Sequence, residues 1–522
     1  AMGECARRSE PGQSRRPACY TAPMLRPFAL GLLALLLHVI AAQAQAQAQP
    51  ARAPDLVLEG VLTDARHETY TEIPFRAPAG VTRITVDFAY TGKAERSVID
   101  LGLRDPERFR GWSGGNKSRF TLAESEATPS YLPGPLKAGT WRLVLGAPNI
   151  RKGSRAAYVA RIWFDQAETP FAGFADAPAS PEGGERWWRG DLHTHTGHSD
   201  GSCLSRRGAK IPCPVFRTTE AAVARGLDFI AVTDHNATSQ FAALRELAPD
   251  YDDLLIIPGR EITTFKGHAN VFGPTAFLDF QLGGSRAPTF ATMLDQVERA
   301  GGLIALNHPG LPSGEFCMGC GWTNPDTDYS RIPAIEVING GISQGPLSGI
   351  PFWEARLDAG FRITAIGGSD NHDPSLDPAR APAIGMPTTV VRAAELSHSA
   401  ILAAIRRGEV FVDVEGSRDR LLEVTASLGP ARAAMGGVLA APAGSQVAMS
   451  VRVKGVEGAN LSLAGPGAGL AVLADPRITA SDQVKTFHLA ADGTARWLRV
   501  DVRAPDGRLL LLGNPIYLAA LP

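Results

Sequence analysis

Hydrophobic and polar residues alternate along residues 52–165. Ile84, Val86, Phe88 and Tyr90 share one face of a run. Trp141, Leu143 and Leu145 share another, and Tyr158, Ala160, Ile162 and Phe164 a third. A period of two marks half-buried strands. Turn signals such as Ala79-Gly80 and Pro133-Gly134-Pro135 separate the runs, which predicts an antiparallel β-sandwich over 52–165. A Pro/Ala/Gly/Glu-rich stretch then predicts a linker over 166–185.

The texture changes over 186–415. Short, strand-like apolar runs now recur: Phe229 to Val232, Leu254 to Ile257, Leu303 to Leu306, Ile335 to Ile338 and Ile363 to Ile366. Helical spacing lies between them. Phe290, Met293, Leu294 and Val297 follow the i, i+3, i+4, i+7 rule and stop at Gly301-Gly302; Ser397 to Arg407 has an N-cap serine and Gly408 as its stop. Alternating strands and helices predict a parallel sheet or barrel. From 419 to 522 the period of two returns, with Val447, Met449, Val451 and Val453 on one face and a Pro505-Asp506-Gly507 turn after Leu498, Val500 and Val502. That predicts a small C-terminal β domain. No internal repeat of 20–50 residues is present.

Residues 1–49 predict no domain. Arg26, the apolar run Phe28 to Ile40 and the Ala-Gln tract ending at Gln49 read as a secretory signal peptide beginning at Met24, with residues 1–23 an extended start before it. The apolar run is short for a membrane span, although an uncleaved anchor is the alternative. Removing 1–49 takes five Arg and two Glu from the 52 basic and 53 acidic residues, leaving 47 and 51. The expected mature form is a mildly acidic periplasmic or secreted protein with no membrane span. The absence of a basic excess argues against nucleic acid as partner and leaves a small molecule.

Cys5 and Cys19 fall in the segment to be removed, and Cys203, Cys213, Cys317 and Cys320 remain. In an oxidising compartment four cysteines predict two disulfides clipping long loops. A redox pair at Cys317-Met-Gly-Cys320, or a zinc knuckle using all four, is the alternative, and spacing does not fix connectivity.

The chemistry concentrates where strand-like runs end. Asp191-Leu192-His193-Thr194-His195, Asp234-His235-Asn236, Arg260-Glu261, Gly267-His268, Asn307-His308-Pro309 and Ser369-Asp370-Asn371-His372 are such places, with Asp200 shortly after the first. In a parallel barrel the C-terminal strand ends converge on one face. Side chains two apart on a strand point the same way, so His193 and His195 face one centre. Imidazole and carboxylate together suit Zn, Mn or Fe. His193, His195, Asp200, His235, Glu261, His268, His308, Asp370 and His372 are nine candidates. One ion takes four to six, so more than one ion is expected.

These segments resemble the polymerase and histidinol phosphatase (PHP) superfamily of metallohydrolases, and within it the carbaryl-hydrolase-like, CehA/McbA-type branch of exported proteins. The similarity spans about 186–415, and Asn514-Pro515-Ile516-Tyr517 also resembles that branch. The resemblance implies a distorted (β/α)7, TIM-like barrel with a trinuclear centre. His193, His195, Glu261 and Asp370 would hold one ion, Glu261 would bridge to a second held by His268 and His308, and Asp200, His235 and His372 would hold a third.

The ligand set and the resemblance together predict a metal-dependent hydrolase with two to three divalent ions per chain, acting through a metal-activated hydroxide on a small-molecule ester. A phosphoester is the leading substrate class. A carboxylic or carbamate ester is the alternative within enzymes, and a metal-containing ligand-binding protein of the cell envelope is the alternative outside them. His198 is the candidate proton donor, or else a residue that only lines the pocket. Arg260, Lys266 and Arg380 are the candidate anchors for a phosphate. The cysteine loops at 203–213 and 311–332 are expected to overhang the site.

Overall fold

Strand Leu56–Thr63 pairs antiparallel with Arg155–Asp165, which continues to Arg83–Tyr90 and Arg119–Ala123. Tyr70–Ala77, Gly139–Asn149, Val98–Arg104 and Phe109–Gly114 make a second antiparallel sheet. The alternation predicted from sequence is the packing between them: Ile84, Val86, Trp141, Leu143, Leu145, Ala160 and Ile162 are fully buried in one core. These are coordinates of a computed structural model, which describes residues 52–167, 171, 174, 184–314, 317 and 319–520. The predicted leader at 1–49 and most of the linker at 166–185 lie outside the described residues. Asp55–Pro522 forms one unit, and the described residues of Ala1–Pro54 carry no helix or strand.

A third, larger sheet carries the histidines. Its strands run in the order Thr364–Gly368, Ala334–Asn339, Leu303–Leu306, Gly267–Phe272, Leu255–Thr264, Phe229–Val232, Arg186–Asp191, Thr388–Ala393 and Val410–Asp413. Four of the neighbouring pairs are parallel, as the sequence predicts. The rest are not. The chain turns straight back at Phe265-Lys266, so Leu255–Thr264 and Gly267–Phe272 form an antiparallel hairpin with no intervening helix. The sheet is therefore mixed, and the described residues hold five α-helices.

The sheet curls until its first strand reaches its later ones. Gly367 both donates to and accepts from the Thr389 hydroxyl, at 2.9 and 2.6 Å. Asn514, 2% exposed, receives the Ala365 N–H and donates to the carbonyls of Ala365 and Val410. Strand Leu509–Gly513 pairs with Val410–Asp413, so the C-terminal β region extends the same sheet. Its own core, with Val447, Met449, Val451 and Val453 fully buried, lies against Phe411 and Val390.

The helices pack on the outside by the residues their spacing selects. Phe290–Arg299 buries Phe290, Met293, Leu294 and Val297, and its Thr289 hydroxyl caps the Thr292 N–H. His398–Arg407 is capped by Ser397 and ended by Gly408 at φ +76°.

Candidate metal centre

The ends of these strands gather the predicted ligands. His193 and His195 follow Arg186–Asp191, His235 follows Phe229–Val232, and Glu261 lies in Leu255–Thr264, bridged in parallel to His235. His308 and Asp370 sit just past Leu303–Leu306 and Thr364–Gly368, at φ +29° and +53°. That region is costly for residues with a Cβ and is held only where the surroundings enforce it. Buried Asp191 enforces part of it, accepting the N–H groups of His193, Ser369 and Gly385 at 3.2, 3.0 and 2.7 Å.

Glu261 is the middle of the arrangement and is fully buried. Its Oε2 lies 3.5, 3.6 and 2.8 Å from His193 Nε2, His195 Nε2 and His235 Nδ1. Its Oε1 lies 3.2 and 3.3 Å from His268 Nδ1 and His308 Nε2. Asp370 Oδ1 closes the first group at 3.3 Å from His193 Nε2 and 3.0 Å from His195 Nε2. A third group lies nearer solvent, where Asp200 is 3.3 Å from His372 Nε2 and 3.8 Å from His235 Nε2.

Donors that each stand about 2.0–2.2 Å from one ion are roughly 3.0–3.6 Å from one another. The spacings around Glu261 fall in or near that range. His193 Nε2, Glu261 Oε2 and both ring nitrogens of His268 are also buried without a hydrogen-bond partner among the described residues. Buried polar atoms left so are expensive unless something else binds them. The residues present therefore fit divalent cations. Among the described residues, four overlapping clusters have ligand atoms within 4.8 Å of one another, and together they use every predicted ligand except Asp370.

The electrostatics point the same way. Burial raises the Glu261 carboxyl, but the imidazoles of His193, His235 and His268 outweigh it and hold the group well below the usual range. Asp370 is held low against the same burial by His193 and His195. Burial disfavours a charged His193, yet Asp370, Glu336 and Glu261 push it well above an ordinary histidine. At His372 burial is likewise outweighed, by Asp200 and Asp370, and the imidazole rises to about 9. Negative charge and imidazole are concentrated beyond what hydrogen bonding among themselves satisfies.

Outer contacts aim the rings. Glu336 was not singled out in the sequence. It lies 3.0 Å from His193 Nδ1 and accepts the His308 N–H at 3.0 Å. It also clusters with His193 and His308. Because its two oxygens are occupied by those contacts, we read it as orienting His193 rather than as a ligand. A Cβ at Gly368 would collide with Glu336 and His193, so glycine there permits their contact. Asp234 holds the next loop, accepting from Thr196 N, Thr196 Oγ1 and Ser199 Oγ at 2.8, 2.7 and 2.6 Å. Gly201 then passes so close to the backbone of His195 and Thr196 that any Cβ would lie 2.7 Å from it. Asn307 and Asn339 donate to Glu261 and Asp370 at 2.8 and 3.2 Å.

The other predicted residues are placed less uniformly. His198 is half-buried with Nδ1 2.8 Å from the Ser239 hydroxyl, outside the ion pairs of the cluster. Arg260 does not join the site. Alternation along its strand sends it away from Glu261, and it is buried over Phe241 with its guanidinium on the carbonyls of Pro274 and Ala276. Lys266 is exposed on the hairpin turn, at the edge of a cavity beside the centre. Arg380 is exposed in the loop after His372.

The cysteines form the pairs Cys203–Cys213 and Cys317–Cys320, not a four-cysteine knuckle. Both lie against the centre. Cys213 accepts the Gly197 N–H at 2.7 Å, and the Cys320 carbonyl lies 3.0 Å from His308 Nδ1.

No protein-family model and no curated protein matches the chain. Among solved structures, it is similar to a Bacteroides vulgatus ATCC 8482 protein described as a two-domain protein containing a predicted PHP-like metal-dependent phosphoesterase. Identity is 19% and the TM-score 0.36, covering 66% of this chain and 98% of that one. A Bifidobacterium adolescentis ATCC 15703 protein with the provisional description of a metal-dependent phosphoesterase is 16% identical over 35% of this chain and 87% of its own, with a TM-score of 0.25. Likeness at this level leaves the functional reading to rest on the side chains.

Proposed function

We propose that the chain is a metal-dependent phosphoesterase of the PHP superfamily, working outside the cytoplasm, with a trinuclear centre on a distorted (β/α)7 barrel. The observation that carries it is the division of Glu261. One oxygen faces His193, His195 and His235, and the other faces His268 and His308. A carboxylate divided in this way suits two ions side by side, and the Asp200, His235 and His372 group suits a third. Asn514, tying Ala365 to Val410, supports closure of the sheet into a barrel. The two disulfides support an oxidising compartment.

Divalent ions in such a centre supply an activated water and polarise the ester oxygen. The chain's own residues do the rest. Asp200, His372 and His235 have side chains 57, 39 and 27% exposed, whereas His193, His195 and Glu261 are at 1% or less. Substrate therefore enters on the Asp200 side. Hydrolysis adds the water oxygen to phosphorus, breaks the bond to the alcohol oxygen and places a proton on that oxygen. His198, with Nδ1 on Ser239, is the proposed source of that proton.

Parallel assays of p-nitrophenyl phosphate, bis(p-nitrophenyl) phosphate and p-nitrophenyl acetate, each with Mn, Zn and Fe, test the reading. Faster turnover of a phosphoester than of the acetate is expected. Turnover of the acetate alone would replace the phosphoesterase with a carboxylic ester hydrolase.

A further inference from the structure

The sandwich sheet made of Tyr70–Ala77, Gly139–Asn149, Val98–Arg104 and Phe109–Gly114 turns one face away from its core. Leu101, Leu103, Leu145 and Ala147 point into the core, so alternation turns Gly102 and Gly146 outward. Trp112 lies across both. A Cβ at Gly102 would stand 2.5 Å from its Cε3, and one at Gly146 would stand 2.9 Å from its Cη2. Glycine inside a strand weakens it and marks a close approach, here of an indole laid over the backbone. Tyr70, 73% exposed, stands beside the ring, with centroids 5.8 Å apart and planes at 66°.

Hydrogen-bonding groups surround the indole. Trp112 Nε1 and Asp100 Oδ1 are 3.9 and 3.7 Å from where a Gly114 Cβ would stand, so a donor and an acceptor flank the same point. Among the described residues neither has a hydrogen-bond partner, and neither is sealed from solvent. Partial burial raises the Asp100 carboxyl, and no described cation offsets it. Glu72 stands on the same face, 3.4 Å from both Arg104 Nε and Arg142 Nε. Two acids thus balance two guanidinium groups, leaving no excess positive charge for a phosphate chain. What fits is a neutral molecule with an apolar face and both donors and acceptors around its edge.

We propose that this face binds a chain of β-linked pyranoses with equatorial hydroxyls, one ring stacked on Trp112 and its hydroxyls meeting Asp100 and Trp112 Nε1. Such a sugar carries only C–H groups on its flat faces, whose partly positive hydrogens suit the negative face of an indole. Each equatorial hydroxyl both donates and accepts, so one sugar edge satisfies the indole N–H and the carboxylate together. None of the candidate metal ligands belongs to this domain, so the surface is separate from the metal centre and independent of which ester is cleaved. It holds the protein on a polysaccharide.

The test is isothermal titration of the metal-loaded protein with cellohexaose and with chitohexaose, two β-linked chains that differ in carrying acetamido groups. Binding of at least one is expected. Its affinity should fall about tenfold in Trp112→Ala and about threefold in Tyr70→Ala and in Asp100→Ala, with circular dichroism and bound metal unchanged. Should Trp112→Ala fail to fold, the other two variants decide, because both side chains reach solvent. Binding of neither sugar, or equal affinity in the variants and the wild type, would overturn the proposal. A dimer in sedimentation equilibrium that dissociates on Tyr70→Ala, without sugar binding, would also overturn it and assign the face to a second copy of this chain.

Discussion

His308 Nδ1 lies 3.0 Å from the carbonyl oxygen of Cys320. A carbonyl only accepts, so this contact places the proton on Nδ1 and leaves Nε2, 3.3 Å from Glu261, as the coordinating nitrogen. Cys320 is half of the Cys317–Cys320 disulfide, so a covalent clip lies on the loop whose carbonyl orients this candidate ligand. Replacing both cysteines with serine should weaken binding of one ion about tenfold while leaving the others in place. Competition titration with a chromogenic chelator measures this, and identical affinities in the variant would separate the disulfide from the centre.

Glu336 should matter as much as a ligand does. Glu336→Gln keeps the volume and one acceptor but removes the charge facing His193 Nδ1. Loss of an orienting partner of this kind costs roughly 10–100-fold in metal affinity. The expected result is a selective loss of one ion with unchanged far-ultraviolet circular dichroism. Full metal content at limiting metal concentration would contradict the role.

Metal binding should release protons. His193, His308 and His372 are all raised above an ordinary histidine despite burial, His372 to about 9. Each holds its proton more tightly than an ordinary histidine, and a ligand nitrogen must be deprotonated to bind. Affinity is therefore weakest in acid and rises with pH until His372 has titrated near 9. Calorimetry of metal binding at pH 7, in two buffers of different ionisation enthalpy, should show net proton release, and buffer-independent heats would contradict it.

The sandwich is held to the metal-bearing sheet by a buried ion triad. Glu126, fully buried, contacts Arg83 of its own domain and Arg245 on the helix Gln240–Leu247. Glu126→Ala leaves two buried guanidinium groups without this partner, and breaking such a pair costs about 3–5 kcal/mol. Urea unfolding should show a loss of that size. A change under about 1 kcal/mol would show that water or other partners replace the carboxylate.

The grouping of the candidate ligands was legible because they sit where apolar runs stop. Val232 ends a run just before Asp234-His235, and Leu306 just before Asn307-His308, so strand ends and chemistry coincide in the sequence. Glu336 was not legible on the same rule, because it interrupts the run Ile335 to Ile338 instead of following it. A single acid within an otherwise apolar strand was its only signal. Arg260 misled in the opposite way. Adjacency to Glu261 suggested a shared site, but neighbours on a strand face opposite sides. The separate C-terminal β region was predicted from its period of two, which cannot show that Leu509–Gly513 joins the sheet begun at Arg186. That pairing depends on contacts about a hundred residues and more apart, as does the role of Asn514.

The division of Glu261 between two sets of imidazoles is most directly tested by counting ions. Plasma mass spectrometry of the purified wild-type chain should find two to three divalent ions. Glu261→Gln, with its fold checked by circular dichroism, should lose at least one of them together with ester hydrolysis. Fewer than one ion in the wild type, or an equal count in the variant, would contradict a polynuclear centre bridged by Glu261.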